Sequence, residues 1–101
     1  MTQPKPPADC ADMADLRRQI DRLDVDLVRL LAKRAGYIDR AVQLKLANDL
    51  PARIPERVEQ VIGNARAAAQ AEGLDPVLAD ALWRVLVDWS IAREARTIRE
   101  T

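Results

Sequence analysis

Two cationic side chains occupy positions where the sequence pattern requires buried apolar residues. Across residues 12–48, apolar residues recur at steps of three and four, which is typical of one amphipathic helix. Arg34 takes the place of an apolar residue in this series, and Lys45 follows about three turns later on nearly the same face. Burying a cation costs several kcal/mol unless an anion or dense hydrogen bonding compensates it. The two cations therefore predict an anionic ligand on this face.

A hydroxyl and a carboxylate share the apolar face of the helix predicted at the C-terminal end. Ser90 and Glu94 lie one turn apart on this face. The serine needs no ligand, because its hydroxyl can bond back to a carbonyl of its own helix. A glutamate on an apolar face should have a raised pKa or a cationic partner. Two interpretations of Glu94 are open: a buried ion pair with Arg34 or Lys45, or a contact with a bound substrate.

Two further arginines are candidates for binding an anion. Arg17 adjoins the core position Leu16, and structural and ligand-binding roles are equally open for it. Arg57 lies in the first turn of a predicted helix, where the helix dipole disfavours a cation by a few tenths of a kcal/mol or more. It either binds an anion or remains solvated and pairs with Glu56 or Asp49.

The residue types that the chain lacks narrow the chemistry further. There is no histidine and a single cysteine, Cys10, so neither the usual nitrogen and sulfur metal sites nor a Ser-His or Cys-His pair can be assembled. The three glycines stand apart, so no glycine-rich phosphate loop exists. We expect no metal and no cofactor, and an enzyme built from this inventory must work by positioning and electrostatic stabilisation.

Composition indicates a single helical domain without nucleic-acid or membrane partners. The chain has 101 residues, of which 49% are hydrophobic and 32% charged, as in ordinary soluble domains. Sixteen basic and sixteen acidic residues cancel, which disfavours general attraction to nucleic acid or anionic lipid. No apolar run approaches the roughly 18 residues of a membrane span, and no signal peptide is evident, so we expect a cytoplasmic protein.

Capping signals divide the chain into a leader and three helices. Prolines in residues 1–11 predict a flexible leader, and residues 12–101 form the predicted domain. Asp9 or Asp12 is the expected N-cap of the first helix. The second helix is predicted to begin at Pro55 and to end at Gly73. The third is predicted to begin at Asp75 and Pro76 and to run to about Arg99.

The first helix is too long for a single copy of the chain to cover. About 37 residues in one helix span roughly 55 Å, beyond the diameter of a globule of about 100 residues. A second copy is the simplest cover for its apolar face. The sequence therefore predicts an all-α fold, in which three-helix protomers with one very long N-terminal helix form an intertwined homodimer.

A set of short segments, which includes Arg17, Arg57 and Ser90, resembles a known family. From about Asp12 to Arg99 the chain resembles the all-helical class of chorismate mutase, and it is closer still to the isochorismate-pyruvate lyase branch. No single segment is diagnostic, but the set at its spacings is specific. The segments are Pro-Ala-Asp-Cys at 7–10, Ala-Asp-Leu-Arg at 14–17, Ile-Asp-Arg-Leu-Asp at 20–24, Pro-Glu-Arg-Val at 55–58, Glu-Gly-Leu-Asp at 72–75, and residues 89–92.

The resemblance implies an intertwined dimer with two identical sites for a small dicarboxylate substrate. Arg17 of the partner subunit would join Arg34 and Arg57 in holding the two carboxylates, and Ser90 would assist one of them. Helix geometry independently favours this arrangement for Arg17. Because it lies about 25 Å from Arg34 along the helix, the two arginines reach one small molecule only from antiparallel copies.

The resemblance also assigns the reacting centre. Lys45 and Glu94 would flank the ether oxygen of the breaking bond, as chorismate rearranges to prephenate or isochorismate loses pyruvate to give salicylate. Neither pericyclic reaction needs a nucleophile, metal or cofactor. A glutamate at the position of Glu94 must be protonated to donate a hydrogen bond to that oxygen.

Two features favour different reactions within the family. Val58 stands where mutases usually carry a glutamate that holds the ring hydroxyl of chorismate, and valine there matches the lyase branch. The spacing from Lys45 to Arg57, and Ser90, look more like the mutases. We therefore predict chorismate mutase activity, isochorismate pyruvate-lyase activity, or both. The rival from another class is a non-catalytic helical dimerisation module, in which the inward cations pair with Glu94 and its neighbours.

Overall fold

The computed structural model describes residues 5–101, which form three α-helices after a short 3-10 helix at Pro7–Asp9. The α-helices are α1 at Met13–Ala47, α2 at Pro55–Glu72 and α3 at Pro76–Glu94. The predicted all-α fold with a long N-terminal helix is confirmed. Residues 1–4 of the predicted leader lie outside the described residues.

Local capping interactions set the beginning and end of α1. Asp12 is the N-cap, because its Oδ1 accepts a hydrogen bond of 2.8 Å from the backbone N–H of Asp15. At the other end Asp49 adopts a left-handed conformation, with a φ of 54°. The Leu50 N–H then donates to the Lys45 carbonyl at 2.8 Å, which closes the C-terminal turn.

The boundaries of α2 and the start of α3 also follow the sequence signals. Pro55 occupies the first turn of α2, and Gly73 ends that helix in the left-handed conformation, with a φ of 74°. The Leu74 N–H donates to the Ala69 carbonyl at 2.8 Å, which completes the turn. Asp75 caps α3 by accepting a hydrogen bond of 2.9 Å from the Val77 N–H.

The predicted end of α3 near Arg99 is wrong, because the helix ends at Glu94. After it the chain turns, and Ile98 becomes buried. The Ala52 N–H donates to the Arg99 carbonyl at 2.8 Å, and the Arg53 N–H donates to the Glu100 carbonyl at 2.7 Å. Apolar burial and hydrogen bonding to the α1–α2 loop therefore replace the last helical turn.

The described chain divides into two compact units within α1, one ending at Tyr37 and the other running from Ile38 to Thr101. In the second unit α2 packs against α3. Its core combines buried residues from the α1–α2 loop, α2, α3 and the C-terminal segment. These are Ala52, Ile62, Val87, Ile91 and Ile98.

In the first unit a buried carboxylate joins the start of α1 to the preceding segment. Asp15 is 5% exposed and accepts hydrogen bonds from Lys5 Nζ at 3.0 Å and from the Ala11 N–H at 3.2 Å. The bond from Lys5, followed by that from Ala11, lowers the pKa of Asp15 to about 2. These contacts join residues in different local elements, so helical periodicity gave no signal for them.

The apolar face predicted on α1 is largely uncovered in the single chain. Leu16 and Ala41 are half-buried, but the large exposed residues on this side of the helix are between 43% and 74% exposed. Residues 5–101 contain no helix that is long and apolar enough to cross a membrane. An uncovered face on a helix of 35 residues supports a partner helix, and the homodimer stays a prediction. The exposed positions include Ile20, Leu23, Leu27, Leu30, Leu31, Tyr37 and Leu44.

Candidate functional site

A buried ion pair joins the end of α1 to the end of α3. Lys45 Nζ lies 2.7 Å from Glu94 Oε1, and the side chains are only 19% and 5% exposed. Lys45 Nζ also donates to the Ala52 carbonyl at 2.8 Å. The structure therefore brings together two of the predicted catalytic residues, in the ion-pair arrangement that sequence reasoning left open.

The two hydrogen bonds of the Lys45 ammonium define the direction of its third N–H group. An ammonium has three N–H donors. Among the contacts of residues 5–101, two of them go to Glu94 and to the Ala52 carbonyl. Because the three N–H bonds diverge from one nitrogen, fixing two directions also fixes the third. The site can therefore present one oriented cationic donor to a substrate oxygen.

Ser90 lies one turn before Glu94 on α3 and is 4% exposed. Its Oγ donates to the Leu86 carbonyl at 2.8 Å, as sequence reasoning expected for a serine on an apolar face. Its predicted contact with a substrate carboxylate stays a prediction.

Arg57 and Val58 occupy the first turn of α2. Arg57 is exposed, and its Nη1 donates to Gln60 Oε1 at 2.7 Å. Arg57 is therefore solvated, as one alternative expected, but its contact is with Gln60, and Asp49 Oδ1 instead accepts from Arg99 at 2.8 Å. Val58 is half-buried and packs against the core of its unit.

Arg17 and Arg34 lie in the part of α1 that belongs to the first unit. Arg17 is exposed, whereas Arg34 is half-buried. Because α1 is continuous between them, they are separated by about 25 Å along the helix axis. One small molecule cannot reach both arginines of the same helix, so their predicted roles require residues from two copies.

Sequence reasoning missed a second ion pair, between α1 and α3. Arg93 Nε and Nη2 donate to the two carboxylate oxygens of Asp39 at 2.6 and 3.0 Å. The guanidinium also lies 5.3 Å from the ring centroid of Trp89. Hydrogen bonding from Arg93 lowers the pKa of the Asp39 carboxyl. Helical periodicity gave no signal for this pair, because it joins side chains on different helices.

The described residues offer no evident metal site. Within residues 5–101 no three His, Cys, Asp or Glu side chains are grouped in a way that could hold a metal ion. The arrangement instead supplies one buried carboxylate, one oriented ammonium and a buried hydroxyl. These groups suit electrostatic stabilisation of an anionic substrate.

Most of the chain matches the model of a known protein family. Residues 16–95 match the family model described as chorismate mutase type II. The chain belongs to the chorismate mutase type II family. The matched range contains every residue predicted for the site, from Arg17 to Glu94.

The chain is similar to proteins that carry different names. Isochorismate pyruvate lyase of Pseudomonas aeruginosa is 34% identical, over 96% of this chain and 95% of that protein. Chorismate mutase of Methanocaldococcus jannaschii is 21% identical, over 88% of this chain and 90% of that protein. The T-protein of Enterobacter agglomerans is 36% identical over 75% of this chain, but the match covers only 21% of that longer protein.

Proposed function

We propose that this protein is a cofactor-free pericyclic enzyme that acts on chorismate or isochorismate. The observation that carries the proposal is the buried contact of Lys45 Nζ with Glu94 Oε1 at 2.7 Å, inside the range matched by the family. A buried carboxylate and a half-buried cation are costly to maintain for stability alone, because apolar residues of similar volume often serve as well. Their presence is explained if the ammonium is needed by a substrate.

The Lys45 ammonium would act on the ether oxygen of the breaking bond. Negative charge develops on that oxygen as the C–O bond lengthens, and a fixed cationic donor stabilises it without reorganisation. Glu94, when protonated, would donate a second hydrogen bond to the same oxygen. No proton needs to be transferred and no covalent intermediate forms, so the chemistry suits a chain that has no histidine to activate a serine or cysteine.

The remaining predicted site residues would hold the folded conformer of the substrate. Arg34 and Arg57 each suit one carboxylate, since a guanidinium can form two parallel hydrogen bonds to it. Ser90 would assist one carboxylate, and Arg17 of the partner subunit would complete the clamp. Holding the reacting carbons near each other converts binding energy into rate.

A homodimer is part of this proposal. The uncovered apolar face of α1 supports a partner helix, and the separation of about 25 Å between Arg17 and Arg34 requires the second copy for a complete site. Residues 12–101 would form the catalytic domain, with residues 1–11 as a leader.

Two reactions remain candidates, and each has an observation that favours it. Chorismate rearrangement is favoured by the spacing from Lys45 to Arg57, by Ser90 and by the similarity to an archaeal chorismate mutase. Loss of pyruvate from isochorismate is favoured by Val58 and by the similarity to a pyruvate lyase over nearly the full lengths of both chains. Both reactions use the same clamp, so one protein with both activities is consistent with the site.

The test assays the purified protein with chorismate and with isochorismate, alongside Lys45→Met. Loss of one preorganised donor typically costs about 100- to 1000-fold in rate, and we expect a loss of that order with the preferred substrate. Lys33→Met is the matched control, because Lys33 is an exposed lysine on the same helix. It should retain full activity.

The dimerisation-module alternative predicts no turnover of either substrate. It also predicts that Lys45→Met lowers stability, because Glu94 would lose its buried cationic partner. Circular dichroism and a thermal melt therefore accompany every assay. A folded wild-type dimer without activity on either substrate would refute the proposed function.

A further inference from the structure

The C-terminal segment Ile98–Glu100 is built into the second unit and does not trail away from α3. Ile98 is 7% exposed and belongs to the core. The carbonyls of Arg99 and Glu100 accept hydrogen bonds from the N–H groups of Ala52 and Arg53 at 2.8 and 2.7 Å. The segment therefore forms a short two-bond ladder with the α1–α2 loop.

One residue links this ladder to the candidate site. The N–H of Ala52 bonds to the Arg99 carbonyl, while the carbonyl of Ala52 accepts from Lys45 Nζ at 2.8 Å. Ala52 is 3% exposed, so water does not compete freely for either bond. Ala52 is thus the single residue that connects the C-terminal segment to the ammonium proposed to act on the substrate.

Two interactions fix the segment against the loop. The Ile98 side chain packs in the same core as Ala52 and Ile62. Outside it, Arg99 Nη1 donates to Asp49 Oδ1 at 2.8 Å and Nη2 donates to the Asp49 carbonyl at 3.1 Å. Asp49 is highly exposed, so this ion pair contributes little by itself, and burial of Ile98 is the stronger anchor.

We propose that Ile98–Glu100 is a positioning segment, which sets the direction of the Lys45 ammonium through the Ala52 carbonyl. This inference rests on the proposed catalytic role of Lys45. With both the Ala52 carbonyl and Glu94 as acceptors, the third N–H of Lys45 has one direction. If Glu94 were the only acceptor, the ammonium could rotate about that one hydrogen bond. Its other two N–H groups would then have no fixed direction.

The expected kinetic signature is a fall in kcat with little change in KM. Misaligning a catalytic group by about 1 Å can cost on the order of 100-fold in rate, whereas the arginines proposed to hold the carboxylates are untouched. For partial release of the segment we expect a loss of about 10-fold in kcat. If the segment had only a structural role, releasing it would lower stability but would not lower kcat while KM stays the same.

The experiment compares Ile98→Ala with the matched control Ile62→Ala. Both isoleucines are buried in the same core, but Ile62 lies on α2, outside the backbone ladder that joins the C-terminal segment to the loop. Steady-state kinetics are measured with the preferred substrate, together with the thermal midpoint. Amide hydrogen exchange at Ala52 reports directly on its bond to Arg99. If either alanine variant fails to fold, the Ile→Val pair at the same positions is used.

The inference predicts similar losses of thermal midpoint in the two variants. Only Ile98→Ala should lower kcat by about 10-fold, leave KM within about twofold, and expose the Ala52 amide to exchange. Equal kcat values in the Ile98 and Ile62 variants would overturn the inference, even if Ala52 exchanges faster.

Measuring Lys45→Met in the same assay distinguishes failure of the proposed positioning role from failure of the proposed function. If it is impaired while Ile98→Ala matches Ile62→Ala, the positioning segment is refuted and the role of Lys45 stands. If Lys45→Met retains full kcat, both are refuted.

Discussion

Glu94→Gln should change stability and activity in opposite directions. In the structure Glu94 accepts a hydrogen bond of 2.7 Å from Lys45, and its side chain is 5% exposed. Glutamine keeps the shape and one acceptor oxygen, but it removes the charge. Hydrogen bonds to charged groups are worth about 1.5–3 kcal/mol, so the variant should lose about 2 kcal/mol of unfolding free energy. Urea unfolding at a fixed protein concentration measures this loss, because dimer stability depends on concentration.

The same substitution should improve catalysis. In the structure the Glu94 carboxylate pairs with the Lys45 ammonium. A carboxylate there places negative charge beside the ether oxygen, where negative charge develops in the transition state, whereas an amide N–H donates to that oxygen. Glu94→Gln should therefore raise kcat/KM above that of the wild type.

Steady-state measurement of kcat/KM for both proteins provides the test, with Glu94→Ala as the variant that loses both charge and donor. We expect Glu94→Ala to be slower than Glu94→Gln. A folded Gln variant that is no faster than the wild type would refute the proposed role. Loss of stability without any turnover would instead match the dimerisation module.

Three further predictions address the substrate, the assembly and the N-terminal segment. Val58→Glu should raise chorismate mutase efficiency relative to lyase efficiency by about 10- to 150-fold, as a regained hydrogen bond to a charged group predicts; an unchanged ratio in a folded variant would place the selectivity elsewhere. Mixing inactive Arg17→Ala with inactive Arg34→Ala protein should restore activity through one intact site per mixed dimer, and no recovery despite verified subunit exchange would contradict shared sites. Because the pKa of Asp15 is lowered from 3.8 to about 2, its contribution to stability is complete above about pH 4 and is lost as pH falls towards 2. An NMR titration should show a higher Asp15 midpoint in Lys5→Ala, and an unchanged midpoint would contradict the role of that contact.

Local signals were sufficient to predict the helices and most of their ends. Asp12, Pro55, Gly73 and Asp75 each act within one turn of their own position, so their effects can be read from neighbouring residues. The end of α3 could not be read in this way. Periodicity continued towards Arg99, but burial of Ile98 and pairing with a loop almost fifty residues away in sequence ended the helix at Glu94.

For the candidate site, the sequence determined which side chains face inwards, and the tertiary structure decided some of their partners. Helical spacing alone placed Lys45 and Glu94 on apolar faces, because the direction of a side chain follows from its position in the helix. Contacts between separate elements depend on how those elements pack, and no periodicity encodes them. Packing therefore decided that Lys45 bonds to both Glu94 and the Ala52 carbonyl, and that Arg93 pairs with Asp39.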